Sequence, residues 1–278
     1  MHLDVVDLRE FYARPLGAVV RRLIAARARA RWRNVAGLSV FGLGYASPYL
    51  TAFRAEAARV GALMPAAQGV IASSGEGKSQ AALVHEDHLP LPDSSVDRLL
   101  MVHSLESTES LRAMLREVWR VLSPSGRVLL VVPNRRGIWA RLDTTPFGHG
   151  LPYSRGQLAS LLRDSMLTPI DWSHALYMPP FNWPVLLRSA LAWERLGAVL
   201  WPAFSGVLIV EASKQIYAAT PEAGAERVRG RLRPVPSGTV TNRTRFMSSH
   251  PRAGSGKVGT GFLIRPALSI DIDHVLST

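Results

Sequence analysis

Residues 115–134 read L-R-E-V-W-R-V-L-S-P-S-G-R-V-L-L-V-V-P-N and hold a helix end, a turn and a strand. Apolar side chains recur every three or four residues up to Leu122, which predicts a helix with one buried face. Pro124 and Gly126 mark a turn. The uninterrupted apolar run that follows is typical of a strand buried on both faces. This helix, turn and strand therefore predict one unit of an α/β sheet.

Further strands and helices alternate on both sides of this stretch. Short apolar runs predict strands at 38–41, 60–65, 81–84, 98–103, 126–134 and 204–217. Helical periodicity or propensity predicts helices at 14–33, 51–60, 107–122 and 158–167. Strands that alternate with helices predict a parallel sheet covered on both faces.

Composition and charge limit the classes of protein to which this chain can belong. The 278 residues are 47% hydrophobic and 19% charged, as in globular proteins. No cysteine is present, which excludes disulfides and thiolate metal sites and is compatible with the cytoplasm, the predicted location. Acids near the amino terminus disfavour a signal peptide. Arg188, Glu194 and Arg195 interrupt the longest apolar stretch, so no membrane-spanning helix is predicted.

The net charge of +12 is concentrated in the two ends of the chain. Residues 1–36 hold eight Arg against three acids, and residues 216–278 hold nine Lys or Arg against four acids. Such segments can attract phosphate backbones or anionic lipid. A solvated basic surface is the alternative interpretation.

A loose phosphate-loop pattern occurs at residues 72–79, A-S-S-G-E-G-K-S. A working loop needs a strand before it, and its fold needs an acid at the end of another strand to hold magnesium. The preceding apolar run is very short, and the later strands end at His103 and Asn134. The pattern therefore favours a surface loop, with a nucleotide hydrolase as the minor alternative.

A better glycine signal lies at residues 38–50, L-S-V-F-G-L-G-Y-A-S-P-Y-L. Gly42 and Gly44 follow the first strand, where glycine allows a tight turn and close approach to a ligand. Ser47 stands where a dinucleotide fingerprint needs a third glycine, and Met64 and Pro65 stand where it needs an acid. Nicotinamide cofactors are thus disfavoured.

Residues 85–106 and 115–134, taken with the glycine turn, resemble the type 11 group of class I S-adenosylmethionine-dependent methyltransferases. The matching motifs are L-P-L-P-D-S-S-V-D at 89–97, the helix L-R-E-V-W-R-V-L, and the S-P-S-G turn before the next strand. The resemblance covers residues 38–135 and extends less clearly to 215. It implies a Rossmann-like, doubly wound, mostly parallel seven-stranded sheet whose last strand is antiparallel.

Three segments follow from this resemblance and from the charge pattern. Residues 1–36 are predicted to be an amphipathic helical extension. Residues 37–215 are predicted to be the methyltransferase-like domain, with a cap at about 135–205. Residues 216–278 are predicted to be a basic, disordered tail.

The resemblance implies S-adenosylmethionine as the cofactor and assigns residues to it. The implied cofactor-binding residues are Gly42, Gly44, Tyr45, Met64, Glu86, Asp87 and His103. Two departures stand out: the second-strand acid is missing, and His85 replaces the usual Asp before the L-P motif. These departures leave open a chain that keeps the fold without the activity.

The chemistry needs few dedicated groups, because methyl transfer from a sulfonium is an in-line displacement in which positioning dominates. His103 is the candidate catalytic residue, as a base or as an orienting group, with a structural role as the alternative. Arg135, His149 and Tyr153 are candidate substrate residues. The histidines lack metal-site spacing, so no metal is predicted.

Three functions remain open at this point. The favoured one is a methyltransferase that acts on a small molecule. The second is a non-catalytic binding protein whose basic termini contact nucleic acid or a protein partner. The third is the nucleotide hydrolase.

Overall fold

Seven strands form one sheet in this computed structural model, which describes residues 4–69 and 81–216. The strands are β1 (Ser39–Gly44), β2 (Arg59–Pro65), β3 (Ala81–Val84), β4 (Val96–Val102), β5 (Leu122–Pro133), β6 (Leu167–Ala175) and β7 (Val207–Lys214). Their order in the sheet is β3-β2-β1-β4-β5-β7-β6. Only β7 is antiparallel to its neighbours. The predicted fold class is confirmed.

Helices cover both faces of the sheet. They are α1 (Val5–Ala13), α2 (Pro15–Arg31), α3 (Ser47–Leu50), α4 (Leu111–Val121), α5 (Arg155–Asp164), α6 (Pro184–Arg188) and α7 (Ala190–Leu200). Buried side chains of α1, α2 and α3 share one apolar cluster with one face of the strands. Those of α4 and α5 share a second cluster with the other face. Because all strands except β7 run in the same direction, the carboxyl ends of these six strands meet at one edge of the sheet. This edge is the usual place for a ligand.

Helix α2 is part of the core. Pro15 begins it, where a missing N–H costs nothing, and Leu16, Val20 and Ile24 turn inward at helical spacing. Its Arg29 pairs with Glu56, and its Arg31 pairs with Asp171 of β6. The helix predicted at 14–33 is present and packs against the sheet.

One predicted helix differs from the structure, and one strand was not predicted. The helix predicted at 51–60 is only the short α3 followed by a single 3₁₀ turn at Thr51–Phe53. Strand β6 had no prediction of its own. Its Pro169 and the irregular register next to Asp171 break the alternation, which an edge strand tolerates.

Several predictions fall outside the described residues. The phosphate-loop pattern at 72–79 lies there, as do residues 217–278 of the predicted tail. Within 4–69 and 81–216, no helix is both long and apolar enough to cross a membrane.

Candidate functional site

The turn after β1 brings the ends of β1 and β4 into close contact. Gly44 has φ +81° and pairs with Val102, and the Tyr45 N–H donates to the Val102 carbonyl at 2.8 Å. A Cβ on Gly44 would overlap that carbonyl oxygen and lie 2.9 Å from the Ser104 Cβ. Glycine is required here because of both its conformation and the close approach of backbone.

Gly42 serves packing. A Cβ there would lie 2.5 Å from the Cβ of Ala46 and 3.0 Å from the Leu50 Cδ1. The missing side chain therefore makes room for the last residue of α3 and for the residue that precedes the helix.

His103 follows β4 and lies buried at this edge with φ +52°. Its Nδ1 is 3.1 Å from the Glu106 Oε1, and its Nε2 is 2.9 Å from the Tyr12 hydroxyl. Tyr49 donates its own hydroxyl hydrogen to the Tyr12 oxygen at 2.9 Å. The Tyr12 hydrogen is then directed to Nε2, which assigns the imidazole proton to Nδ1, where it is donated to Glu106. In this arrangement the Glu106 carboxylate orients the imidazole ring of His103.

Tyr12 closes this end of the edge. Its ring stacks on Tyr45, with centroids 5.3 Å apart and planes 18° apart, and Phe147 packs on the His103 ring at 4.7 Å. Burial raises the pKa of Tyr12 well above its usual value, and the neighbouring Tyr49 adds to this. Tyr12 is thus a neutral hydrogen-bond donor that covers the basic nitrogen of His103.

Gln68 supports the strained turn at His103. Its side-chain amide donates to the His103 carbonyl and, at 3.0 Å, to the Ser107 hydroxyl. The backbone carbonyl of Gln68 accepts a hydrogen bond from the backbone N–H of Val5, the first residue of α1. The end of β2, the start of α1 and the turn after β4 are therefore held together.

Sequence reasoning missed Tyr12, Gln68 and Glu106. Glu106 stands three residues after His103 in H-S-L-E, a spacing that could have identified it. Tyr12 carries no comparable signal, since it lies 91 residues from its histidine partner.

Two buried polar atoms at the β4 end have no hydrogen-bond partner within the described part of the chain, and a polar ligand can supply one. The Ser104 Oγ and the Glu106 Oε2 are buried and have no hydrogen-bond partner among residues 4–69 and 81–216. Buried polar groups are rarely left in this state without a ligand or water. A small cavity of about 10 Å³, the size of one water, borders His103, Glu106 and His149.

The other predicted cofactor residues occupy different surroundings. Met64 is buried in the core cluster that also contains residues of α1, α2 and α3. Glu86 accepts the hydroxyl hydrogen of Thr108, so its side chain lies against the segment that follows His103. Asp87 is exposed. Their contact with a cofactor stays a prediction.

The predicted substrate residues lie in different surroundings. Tyr153 donates its hydroxyl to the Leu105 carbonyl at 3.3 Å, and burial together with the charge of Glu106 raises its pKa to about 12. His149 lines the small cavity and contacts the Asp143 carbonyl at 2.8 Å. Arg135 is exposed, and its backbone N–H donates to the Tyr153 carbonyl. The structure brings His149 and Tyr153 to Glu106, while Arg135 lies apart.

A larger cavity of about 520 Å³ opens at the β5, β6 and β7 end of the same edge. Asn134, Arg136, Ser154, Arg155, Gly156, His174, Pro202, Ala203 and Leu208 line it. Its lining holds two guanidinium groups and the amino end of α5, with no carboxylate. Burial lowers the pKa of His174, and the charges of Arg155 and Arg27 lower it further. Such a positive cavity suits an anionic ligand.

Comparisons with known proteins find a similarity that covers part of this chain. A family model described as a methyltransferase domain matches residues 37–130. No curated protein matches the chain significantly. The resemblance to class I methyltransferases is confirmed, and S-adenosylmethionine is the cofactor of this domain type.

Solved structures with the same fold are distant in sequence. A complex of the methyltransferase activator Trm112 from Haloferax volcanii with a candidate methyltransferase is similar at 18% identity and a TM-score of 0.52, covering 70% of this chain and 89% of the other. An S-adenosylmethionine-dependent methyltransferase from Thermotoga maritima gives 13% identity, a TM-score of 0.50 and coverages of 76% and 96%. An S-adenosylmethionine-dependent methyltransferase from Archaeoglobus fulgidus gives 16% identity and a TM-score of 0.50, and the match covers 70% of this chain and 94% of the other. These likenesses show the fold.

Proposed function

We propose that this chain, which carries a class I methyltransferase domain, transfers a methyl group from S-adenosylmethionine to a small anionic acceptor. The observation that carries the proposal is the His103–Glu106 pair at the β4 end, beside the unpartnered atoms Ser104 Oγ and Glu106 Oε2. The matched family supplies the reaction type.

Ser104 and Glu106 would hold the cofactor, because their free oxygen atoms can bind its ammonium and hydroxyl groups. When bound, S-adenosylmethionine supplies an electrophilic methyl group. The buried carboxylate of Glu106 also keeps the imidazole proton on Nδ1. The Nε2 of His103 would receive the proton of the acceptor once the Tyr12 hydroxyl, which is bonded to it here, has moved away.

The acceptor is proposed to reach this end from the larger cavity. Tyr153 spans the two places: its hydroxyl contacts the Leu105 carbonyl beside Glu106, and the next residues, Ser154 and Arg155, line the cavity. A volume of about 520 Å³ is within the range for small-molecule sites. Arg136 and Arg155 would hold a phosphate or carboxylate group of the acceptor.

Calorimetric titration with S-adenosylhomocysteine tests cofactor binding. We expect binding to the full chain, and a loss of about tenfold in affinity for Glu106→Ala, because that carboxylate would no longer contact the ligand. Asp164→Ala is the matched control, since that exposed carboxylate at the end of α5 lies outside the buried network.

A screen of small anionic acceptors for S-adenosylhomocysteine production tests the reaction. His103→Asn should lower the rate by about 10²-fold, as for a lost general base, while leaving affinity for S-adenosylhomocysteine nearly unchanged. A rate unaffected by this substitution would remove His103 from the chemistry.

A non-catalytic binding protein is the second candidate. The closed His103 end, where Tyr12 covers Nε2, favours it. A chain that ignores S-adenosylhomocysteine at millimolar concentration would support this candidate. Contact of the basic segments with nucleic acid and a cytoplasmic location stay predictions.

A further inference from the structure

Exposed apolar side chains concentrate in residues 181–204. Eight of the fifteen large hydrophobic side chains that are exposed among residues 4–69 and 81–216 lie in this short segment. We define the apolar patch as Trp183, Val185, Leu191, Leu196, Val199 and Leu200. Val199 is 80% exposed and Val185 is 77% exposed, so these side chains lie on the surface. Contiguous exposed apolar surface usually marks an interaction site.

Helix α7 presents this patch because its polarity is inverted. Its inner face consists of Ala190, Glu194 and Gly197, spaced three and four residues apart. The helix packs tightly there, since a Cβ on Gly197 would overlap the Tyr177 ring. Glu194, its one acid, is buried and accepts the Tyr177 N–H at 2.7 Å. The outer face is therefore left to apolar side chains and one arginine.

The exposed charges within residues 181–204 are both positive. Arg188 and Arg195 are exposed, whereas Glu194, the one acid between 181 and 204, is buried. Phe181 stacks on Trp183 with centroids 5.4 Å apart, which forms an exposed aromatic pair next to the helices. Exposed aromatic and aliphatic groups flanked by arginines are typical of protein surfaces that lie in the headgroup region of a bilayer.

We propose that the apolar patch of α6 and α7 docks on an anionic phospholipid surface. α7 has eleven residues, about 16 Å, which suits a helix lying in the interface and is too short to span it. Arg188 and Arg195 complement a negative surface. A second copy of the chain fits less well, because each copy carries a net charge of +12 and presents the same two arginines.

Insertion of α7 can be measured with a fluorescent probe, because the chain contains no cysteine. Val199→Cys and, as the control, Ile170→Cys on the β6 edge would each carry an environment-sensitive dye in the full chain. Vesicles of phosphatidylcholine with about 30% phosphatidylglycerol should shift the emission to the blue and raise its intensity at position 199 only, as expected for an interfacial helix. An unchanged emission at position 199 while the protein is vesicle-bound would overturn the proposal.

Cosedimentation then separates the patch from the basic termini. Leu196→Asp with Val199→Asp should weaken vesicle binding at least about tenfold, because carboxylates oppose burial and anionic lipid. Ile170→Asp should have little effect. Arg188→Gln with Arg195→Gln should weaken binding by several-fold, and more than Arg112→Gln with Arg116→Gln on α4, which changes the net charge equally.

Two results would contradict lipid docking. Equal binding of all four variants would assign the attraction to other basic surfaces. A dimer in sedimentation equilibrium that Leu196→Asp with Val199→Asp dissociates, without vesicle binding, would make the patch a self-interface. Neither result bears on cofactor binding, so this proposal and the proposed function fail separately.

Discussion

The two ends of the sheet's ligand edge differ in what fills them. At the β1 and β4 end, hydrogen bonds run from Tyr49 through Tyr12 to His103, and aromatic rings pack around them. At the β5, β6 and β7 end, a cavity of about 520 Å³ remains between arginines and a helix start. One end is therefore covered and hydrogen-bonded internally, whereas the other end is open and lined by positive charge.

The largest expected effect distinguishes the glycines of the two ends. Gly44→Ala should lower the free energy of unfolding by about 3 kcal/mol, because the new Cβ meets the Val102 carbonyl in a left-handed conformation. Gly156→Ala at the open end should change it by less than about 0.5 kcal/mol, since nothing lies within 4 Å. Urea denaturation of both variants checks this. Equal losses of stability would show that the close contact between position 44 and the Val102 carbonyl does not determine the effect.

A second effect tests whether Tyr12 competes with the cofactor. Tyr12→Phe removes the hydroxyl bonds to His103 and Tyr49, so the covered state loses stability and S-adenosylhomocysteine should bind up to about fivefold more tightly. Tyr177→Phe, away from this network, is the control. Weaker binding by Tyr12→Phe in calorimetry would mean that the hydroxyl holds the cofactor instead.

At the open end, a third measurement tests the charge of the cavity. Arg136→Gln with Arg155→Gln should weaken binding of inorganic phosphate about tenfold, because two guanidinium groups that face the cavity are lost. Arg112→Gln with Arg116→Gln on α4 makes the same change in net charge. If both pairs weaken phosphate binding equally in a thermal-shift titration, general charge accounts for the effect.

The smallest expected effect is a pH dependence from His174. Burial and two arginines lower its folded-state pKa, so the unfolded chain binds more protons between that value and the ordinary value of about 6.5. Stability should therefore be full above about pH 6.5 and fall as the pH drops through the folded-state pKa. His174→Asn should reduce this slope in urea denaturation at a series of pH values, and an unchanged slope would assign it elsewhere.

Six of the seven strands were predictable from the sequence, whereas strand β6 and the end of the helix expected at 51–60 were not. Continuous apolar runs such as that of β5 can be buried only on two faces, so pattern alone locates them. The segment 51–60 has helical propensity, but α2 covers that face of the sheet, and Glu56 pairs with Arg29. Propensity is a weak effect that tertiary packing overrides.

By itself, the sequence determined the alternation of strands and helices, the glycine turn at Gly44, the absence of thiol chemistry and the strongly basic termini. These are local or additive properties, readable from spacing and count. Only the tertiary structure decided that Tyr12 covers His103, that Glu106 orients it, and that α7 turns its apolar side outward. Each of these depends on which distant surfaces meet, because burial and hydrogen bonding are properties of the packed chain rather than of any segment.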